Sequence, residues 1–167
     1  MQLNMLNNSA ILSADKSCLS QAQLLLTIWG DGLRFQKFAF DGIGEIDFIV
    51  ARALTATPFE TRMVEGRTVH LETIPEIIAK KVYYRGSEAN PRDIFDIAAA
   101  APSQLGEVVN ALLAFPEHVA RIRERMEKLN PEFVSRAIAQ LMIMPDYEAS
   151  AADSLIAAIA LLDEVLS

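Results

Sequence analysis

Apolar positions along the first part of the chain come in short runs of the kind that form strands. LLLTIW (24–29), LRFQKFAF (33–40), EIDFIVA (45–51) and RTVHL (67–71) are rich in aromatic, β-branched and leucine residues, and GDG, DGIG and VEG turn signals separate them. They predict antiparallel strands. In LRFQKFAF the alternation sets Leu33, Phe35 and Lys37 on one face against Arg34, Gln36, Phe38 and Phe40 on the other.

From residue 73 the period changes to that of a helix. Thr73 is a cap and Pro75 suits a first turn, with Ile77, Ile78, Lys81, Val82 and Arg85 continuing the helix until Gly86 stops it. After the loop SEAN, Pro91 opens a second helix with Ile94, Phe95, Ile97 and Ala98 on its buried side. Pro102 and Pro116 punctuate two more, the latter carrying Val119, Ile122, Met126 and Leu129 at i, i+3, i+7 and i+10. Past Asn130 and Pro131, helices are predicted over about 132–141 and about 150–166, the last with Leu155, Ile159, Leu162 and Leu166 as its stripe. Sheet first and helices second is the α+β pattern: a strand-rich part over 1–72 and a helical bundle over 73–167.

Composition narrows the function classes. A chain of 167 residues is long enough for one domain with a substantial core, or a small domain with a helical extension. Apolar residues make up 51 %, yet no run approaches the ~20 uninterrupted apolar residues that a membrane span needs. The start, MQLNMLNNSA, lacks the basic and apolar regions of a secretory signal, so the expectation is a cytoplasmic, non-membrane protein. A single cysteine, Cys18, excludes an internal disulfide and a cysteine-based zinc site, and with no basic neighbour beyond Lys16 it is not expected to be a reactive thiol. The net charge of −7 disfavours a broad grip on a phosphate backbone while allowing a local basic pocket.

Charge is densest in ETIPEIIAKKVYYRGSEANPRDIFDIAAA, residues 72–100. Glu76 and Lys80, and likewise Arg92 and Asp96, stand four apart, which makes two exposed helix-surface pairs the plain reading. That reading leaves over Lys81 and Arg85, which share another face, and Asp93 in the first turn of the next helix. Two cations facing a returning Arg and Asp can form a phosphate pocket beside a carboxylate. A second candidate is DGIGEIDFIVA, where Glu45 and Asp47 point to one side of a strand while Ile46 and Phe48 point to the other. Paired strand carboxylates can hold magnesium, and they can equally be a solvated face.

Together the two stretches resemble the C-terminal half of the nucleotidyl transferase AbiEii/AbiGii toxin family: an IDFI strand, about two dozen residues, then TIPEIIAKK followed by RDIFDI. The resemblance covers roughly residues 40 to 100. It implies a nucleotidyltransferase-like sheet with a helical C-terminal portion, a place in a toxin–antitoxin or phage-defence pair, and transfer of nucleotides from a nucleoside triphosphate to transfer RNA with magnesium. Carried over, Asp47 matches a metal-side carboxylate, Lys81 the lysine that meets the triphosphate, and Arg92 with Asp93 the pair that completes the pocket; Lys80 is the alternative to Lys81 by one residue. Arg85 joins the cofactor-binding set and Asp96 is assigned to the helix start.

The family's first motif, adjacent small residues followed by Asp-x-Asp, has no match. WGDG at 29–32 before Glu45 and Asp47 imitates it, but its glycines are not adjacent and only 28 residues separate Asp47 from Glu76. The expectation is a truncated member, inactive alone, with an antitoxin, a tRNA or a second copy as candidate partners. The alternatives are a non-catalytic binding or regulatory partner, or a remnant whose Asn-rich start reflects a chance methionine. His70 and His118 are read as ordinary packing or surface residues, Trp29 and the phenylalanines of 33–40 as sheet interior, and RIRERMEKL (121–129) as a solvated mixed-charge face.

Overall fold

Turn and cap chemistry sets most of the element boundaries. The computed structural model describes residues 26–31 and 33–167; Cys18 and the N-terminal segment lie outside them. The chain divides into two compact units, residues 1–52 and 53–167.

In the first unit, β1 (Leu26–Gly30), β2 (Phe35–Phe40) and β3 (Gly44–Ile49) form an antiparallel sheet in the order β1-β2-β3. Asp31 builds the first turn: its Oδ1 accepts the backbone N–H groups of Leu33, Arg34 and Phe35 at 2.7–2.9 Å. Those donors, Arg34's first, hold its carboxyl at about 2. The register opposes Ile28, Phe38 and Ile46 across the three strands. Phe48 joins that face, its ring edge-on to Phe38 at 5.5 Å. Period-two alternation therefore puts Lys37, Glu45 and Asp47 on the reverse.

The second unit opens with a hairpin, β4 (Phe59–Val64) and β5 (Arg67–Glu72). Its two-residue turn has Glu65 at φ +48° and Gly66 at φ +76°, the doubly left-handed geometry that matches strand twist. β4 is absent from the sequence-based expectation, because FETRMV carries Glu60 and Arg62 and has too little apolar weight to read as a strand.

Five helices follow: α1 (Ile74–Arg85), α2 (Pro91–Leu112), α3 (Pro116–Glu127), α4 (Pro131–Ile138) and α5 (Ser154–Leu166). The first four begin with a proline in the opening turn, where no N–H is needed. Thr73, Asn90 and Asn130 accept the N–H groups of Glu76, Asp93 and Phe133 as N-caps. Near Pro102 the expected punctuation is present: α2 is two helical segments that meet at a kink at Gln104 (φ −142°, ψ 30°), two residues past the proline, and they carry one apolar stripe between them. That stripe, with Ile94, Ile97, Val108 and Leu112, packs on Val119, Ile122 and Met126 of α3 and Leu161 and Leu162 of α5 to form the core. Each such side chain contributes about 1.5–3 kcal/mol on burial. The protein is thus α+β, two small antiparallel sheets and a helical C-terminal region. Among the described residues, no helix is long and apolar enough to cross a membrane.

Candidate functional site

The charges of residues 72–100 do not form two exposed pairs. Each of two buried carboxylates, Glu76 and Asp93, gathers cations and backbone donors around itself.

Glu76 stands in the first turn of α1 and is fully buried. Its carboxylate accepts the backbone N–H of Leu54 at 3.0 and 3.1 Å, the N–H of Thr55 at 2.9 Å and the Thr55 hydroxyl at 2.7 Å. Lys80 Nζ lies 3.2 Å away, the i, i+4 pair expected from the sequence, and also bonds Glu72. Burial pushes the Glu76 carboxyl up, but the Thr55 hydroxyl, the Leu54 N–H and Lys80 together outweigh it and hold it below the usual range. Burial opposes the charge on Lys80 in the same way, and the partners Glu72 and Glu76 raise it. Glu76 therefore ties the segment before the hairpin to α1. Sequence reasoning missed this role, although Thr73-x-x-Glu76 carries a capping-box signature. Here the acid reaches across to Leu54 and Thr55 instead of back to Thr73.

Asp93 is the second centre, 1 % exposed, in the first turn of α2. It closes a capping box: its N–H donates to Asn90 Oδ1 at 3.1 Å and its Oδ2 accepts the Asn90 N–H at 3.2 Å. Lys81 Nζ lies 2.8 Å from Asp93 Oδ1 and 2.8 Å from Asp96 Oδ2, and Arg85 Nε lies 3.5 Å from Asp93. Of the expected pocket, Lys81, Arg85 and Asp93 lie together, and Asp96, assigned to the helix start, joins them in place of Arg92. Asp96 pairs with Lys81 and not with Arg92, because the ammonium of α1 reaches it across the helix pair. Arg92 is exposed on the first turn of α2.

Two cations against two carboxylates leave the cluster neutral. Lys81 spends two of its three donors on Asp93 and Asp96, and Asp93 spends an oxygen on its own helix cap. A phosphate entering here would compete with carboxylates already in place.

Asp47 belongs to the first unit. It and Glu45 sit on one strand face, as the alternation indicates, and Lys37 Nζ bridges them at 3.3 Å and 2.6 Å. Glu45 is the main reason the Lys37 ammonium is raised above its ordinary value. Among the described residues, no cluster of three or more His, Cys, Asp or Glu side chains is placed to hold a metal. Two strand carboxylates already bridged by one lysine are too few anionic ligands for a pair of divalent cations. His70 is exposed in β5 against Phe59, and His118 stacks on Tyr83 in the second unit. A cleft of about 150 Å³ between α4 and the start of α5 is lined by Val134, Ile138 and Leu155 and by none of the candidate residues.

Comparison with protein-family models, with curated proteins and with solved structures finds no match. Fold and site together define an α+β chain in which buried acids fasten the helix starts and hold their neighbouring lysines.

Proposed function

We propose that this chain is a nucleotidyltransferase-type, toxin-like protein of the toxin–antitoxin or phage-defence kind, with little or no transferase activity alone. The observation that carries the reading is the convergence of Lys81 and Arg85 on Asp93, with Asp96 at the same lysine, within the segment that resembles the AbiEii/AbiGii family. In the reaction implied, an RNA hydroxyl oxygen bonds to the α-phosphorus of a nucleoside triphosphate, the bond to the β-phosphate bridge breaks, and pyrophosphate leaves. Magnesium and the triphosphate are requirements of the intact family. Of its metal-side carboxylates only Asp47 is matched, and the Lys81 cluster carries no surplus positive charge, so neither metal clamp nor phosphate grip is complete.

The test is incorporation of labelled nucleotide into tRNA by the purified chain with magnesium. The expected result is none above background; incorporation abolished by Asp47→Ala overturns the claim of inactivity and supports the site.

A second reading, a non-catalytic binding partner of an antitoxin or of another copy, is favoured by one observation. Ile46, Phe48, Ile49 and Val50, in and after β3, are each more than half exposed, an apolar run of the sort that marks interaction surfaces. Strictly monomeric behaviour across a concentration series, with and without a candidate antitoxin, counts against it.

A further inference from the structure

The methionines of this chain divide sharply by exposure. Met126, on α3, is at 0 % exposure in the core. Met63 in β4 and Met144 are 69 % and 67 % exposed, and Met142 reaches 103 %, a side chain open to solvent along its whole length. Met1 and Met5 lie outside the described residues.

The backbone around Met142 is fastened. It stands in the short connection between α4 and the helical turn Pro145–Ser150. Its neighbours Leu141 and Ile143 are partly buried and pack against the core, and Met142 is the side chain left outside between them. Each end of the connection is tied: the Leu141 N–H donates to the Ile138 carbonyl at 2.9 Å, and the Tyr147 N–H to the Met144 carbonyl at 2.9 Å. The thioether is therefore displayed by the folded chain, with no opening needed to reach it. Met126 is the reverse case, since a reagent meets its sulfur only when the core opens.

We propose that Met142 is a reversible oxidation site for small peroxides. A sulfur lone pair attacks one peroxide oxygen; the S–O bond forms as the O–O bond breaks, and for hydrogen peroxide the departing oxygen takes up the proton of the transferred one and leaves as water. Sulfur is oxidised by two electrons to the sulfoxide and the peroxide is reduced. The product is polar, which disrupts a core but meets only water at Met142, so the mark changes the surface and not the fold. A thiol-dependent methionine sulfoxide reductase reverses it, the oxygen leaving as water while two thiols become a disulfide. The transferase reading is not needed for any of these steps.

The test is a time course of the whole chain in dilute hydrogen peroxide, followed by peptide mass mapping. Fragment ions separate Met142 from Met144, which share one tryptic peptide. Among the described methionines, Met142 should gain oxygen first, Met63 and Met144 next, and Met126 at least about tenfold more slowly than Met142. Urea below the unfolding transition should speed Met126 and leave Met142 unchanged. In a Met63→Leu, Met144→Leu chain, conversion of Met142 should leave the urea unfolding midpoint where it was, and a mixture of the two epimer-specific reductases with dithiothreitol should restore the mass. The proposal is overturned if Met126 is oxidised as fast as Met142, if Met142 lags Met63 or Met144, if its conversion lowers the midpoint, or if the reductases leave its sulfoxide in place.

Discussion

The carboxylates of β3 and those that open α1 and α2 are the same chemical groups in opposite situations. Glu45 and Asp47 stand on an exposed strand face and share one lysine, with side chains 55 % and 39 % exposed. Glu76 and Asp93 are buried, and each binds backbone as well as cations. Solvent would serve the first pair nearly as well as Lys37 does. The second pair has no such substitute, because removing either acid leaves buried donors without acceptors. A high density of charge in a sequence therefore says little until burial is known. In this protein the densest stretch is chiefly a fastening between helices.

The largest effect expected is at Glu76. Glu76→Gln should destabilise the second unit by about 3 kcal/mol in urea unfolding, since it puts an amide donor against the N–H groups of Leu54 and Thr55 and strands Lys80. The wild-type pH dependence follows with a definite sign. The folded-state value of Glu76 lies below its ordinary 4.5, so the stability it confers is present above that pH and is lost as pH falls through the folded-state value. Lys80 is raised above 10.5, so its contribution persists below that value and disappears as pH rises past it. Glu76→Gln should flatten the acid limb of a stability–pH profile; an unchanged limb would put the acid sensitivity elsewhere.

Next comes Asp93→Asn, which keeps the cap but removes the charge facing Lys81 and Arg85. A loss of about 2 kcal/mol is expected, and chemical denaturation with a two-state fit measures it. At the hairpin the effect is smaller. Gly66→Ala should cost about 1 kcal/mol at φ +76°, and Glu65→Asn should gain about 0.5 kcal/mol because asparagine tolerates the left-handed turn. Smallest of all, Glu45→Gln with Asp47→Asn should leave the unfolding midpoint within the scatter of the measurement. A large shift there would erase the contrast between the two carboxylate groups.

Much of the helical region was legible because its signals are local. Proline in an opening turn, a Thr or Asn cap before it and a 3.6-residue apolar period each act within a few residues. The three strands of the first sheet were legible for the same reason, from alternation and glycine turns. β4 was not, since an exposed hairpin strand needs no apolar alternation and FETRMV has little. The grouping of Lys81, Arg85 and Asp93 could be read because they flank one short loop. Neither the real partners of Glu76 nor the Lys81–Asp96 pair could. Leu54 and Thr55 meet Glu76 from more than twenty residues upstream, and nothing local encodes that meeting. Asp96 stands four residues from Arg92 on its own helix, so spacing favoured the wrong partner.

Whether the cations of this segment are spent on the fold can be decided by calorimetric titration of wild type and Asp96→Asn with a nucleoside triphosphate. Asp96 is 31 % exposed at its side chain, so this variant should fold. With Lys81 held by two carboxylates, wild type should bind more weakly than about 1 mM, and releasing one carboxylate should tighten binding by about fivefold. Micromolar binding by wild type, unchanged in Asp96→Asn, would mean the opposite: Lys81 and Arg85 would then be free for phosphate, and the buried acids would not be what holds them.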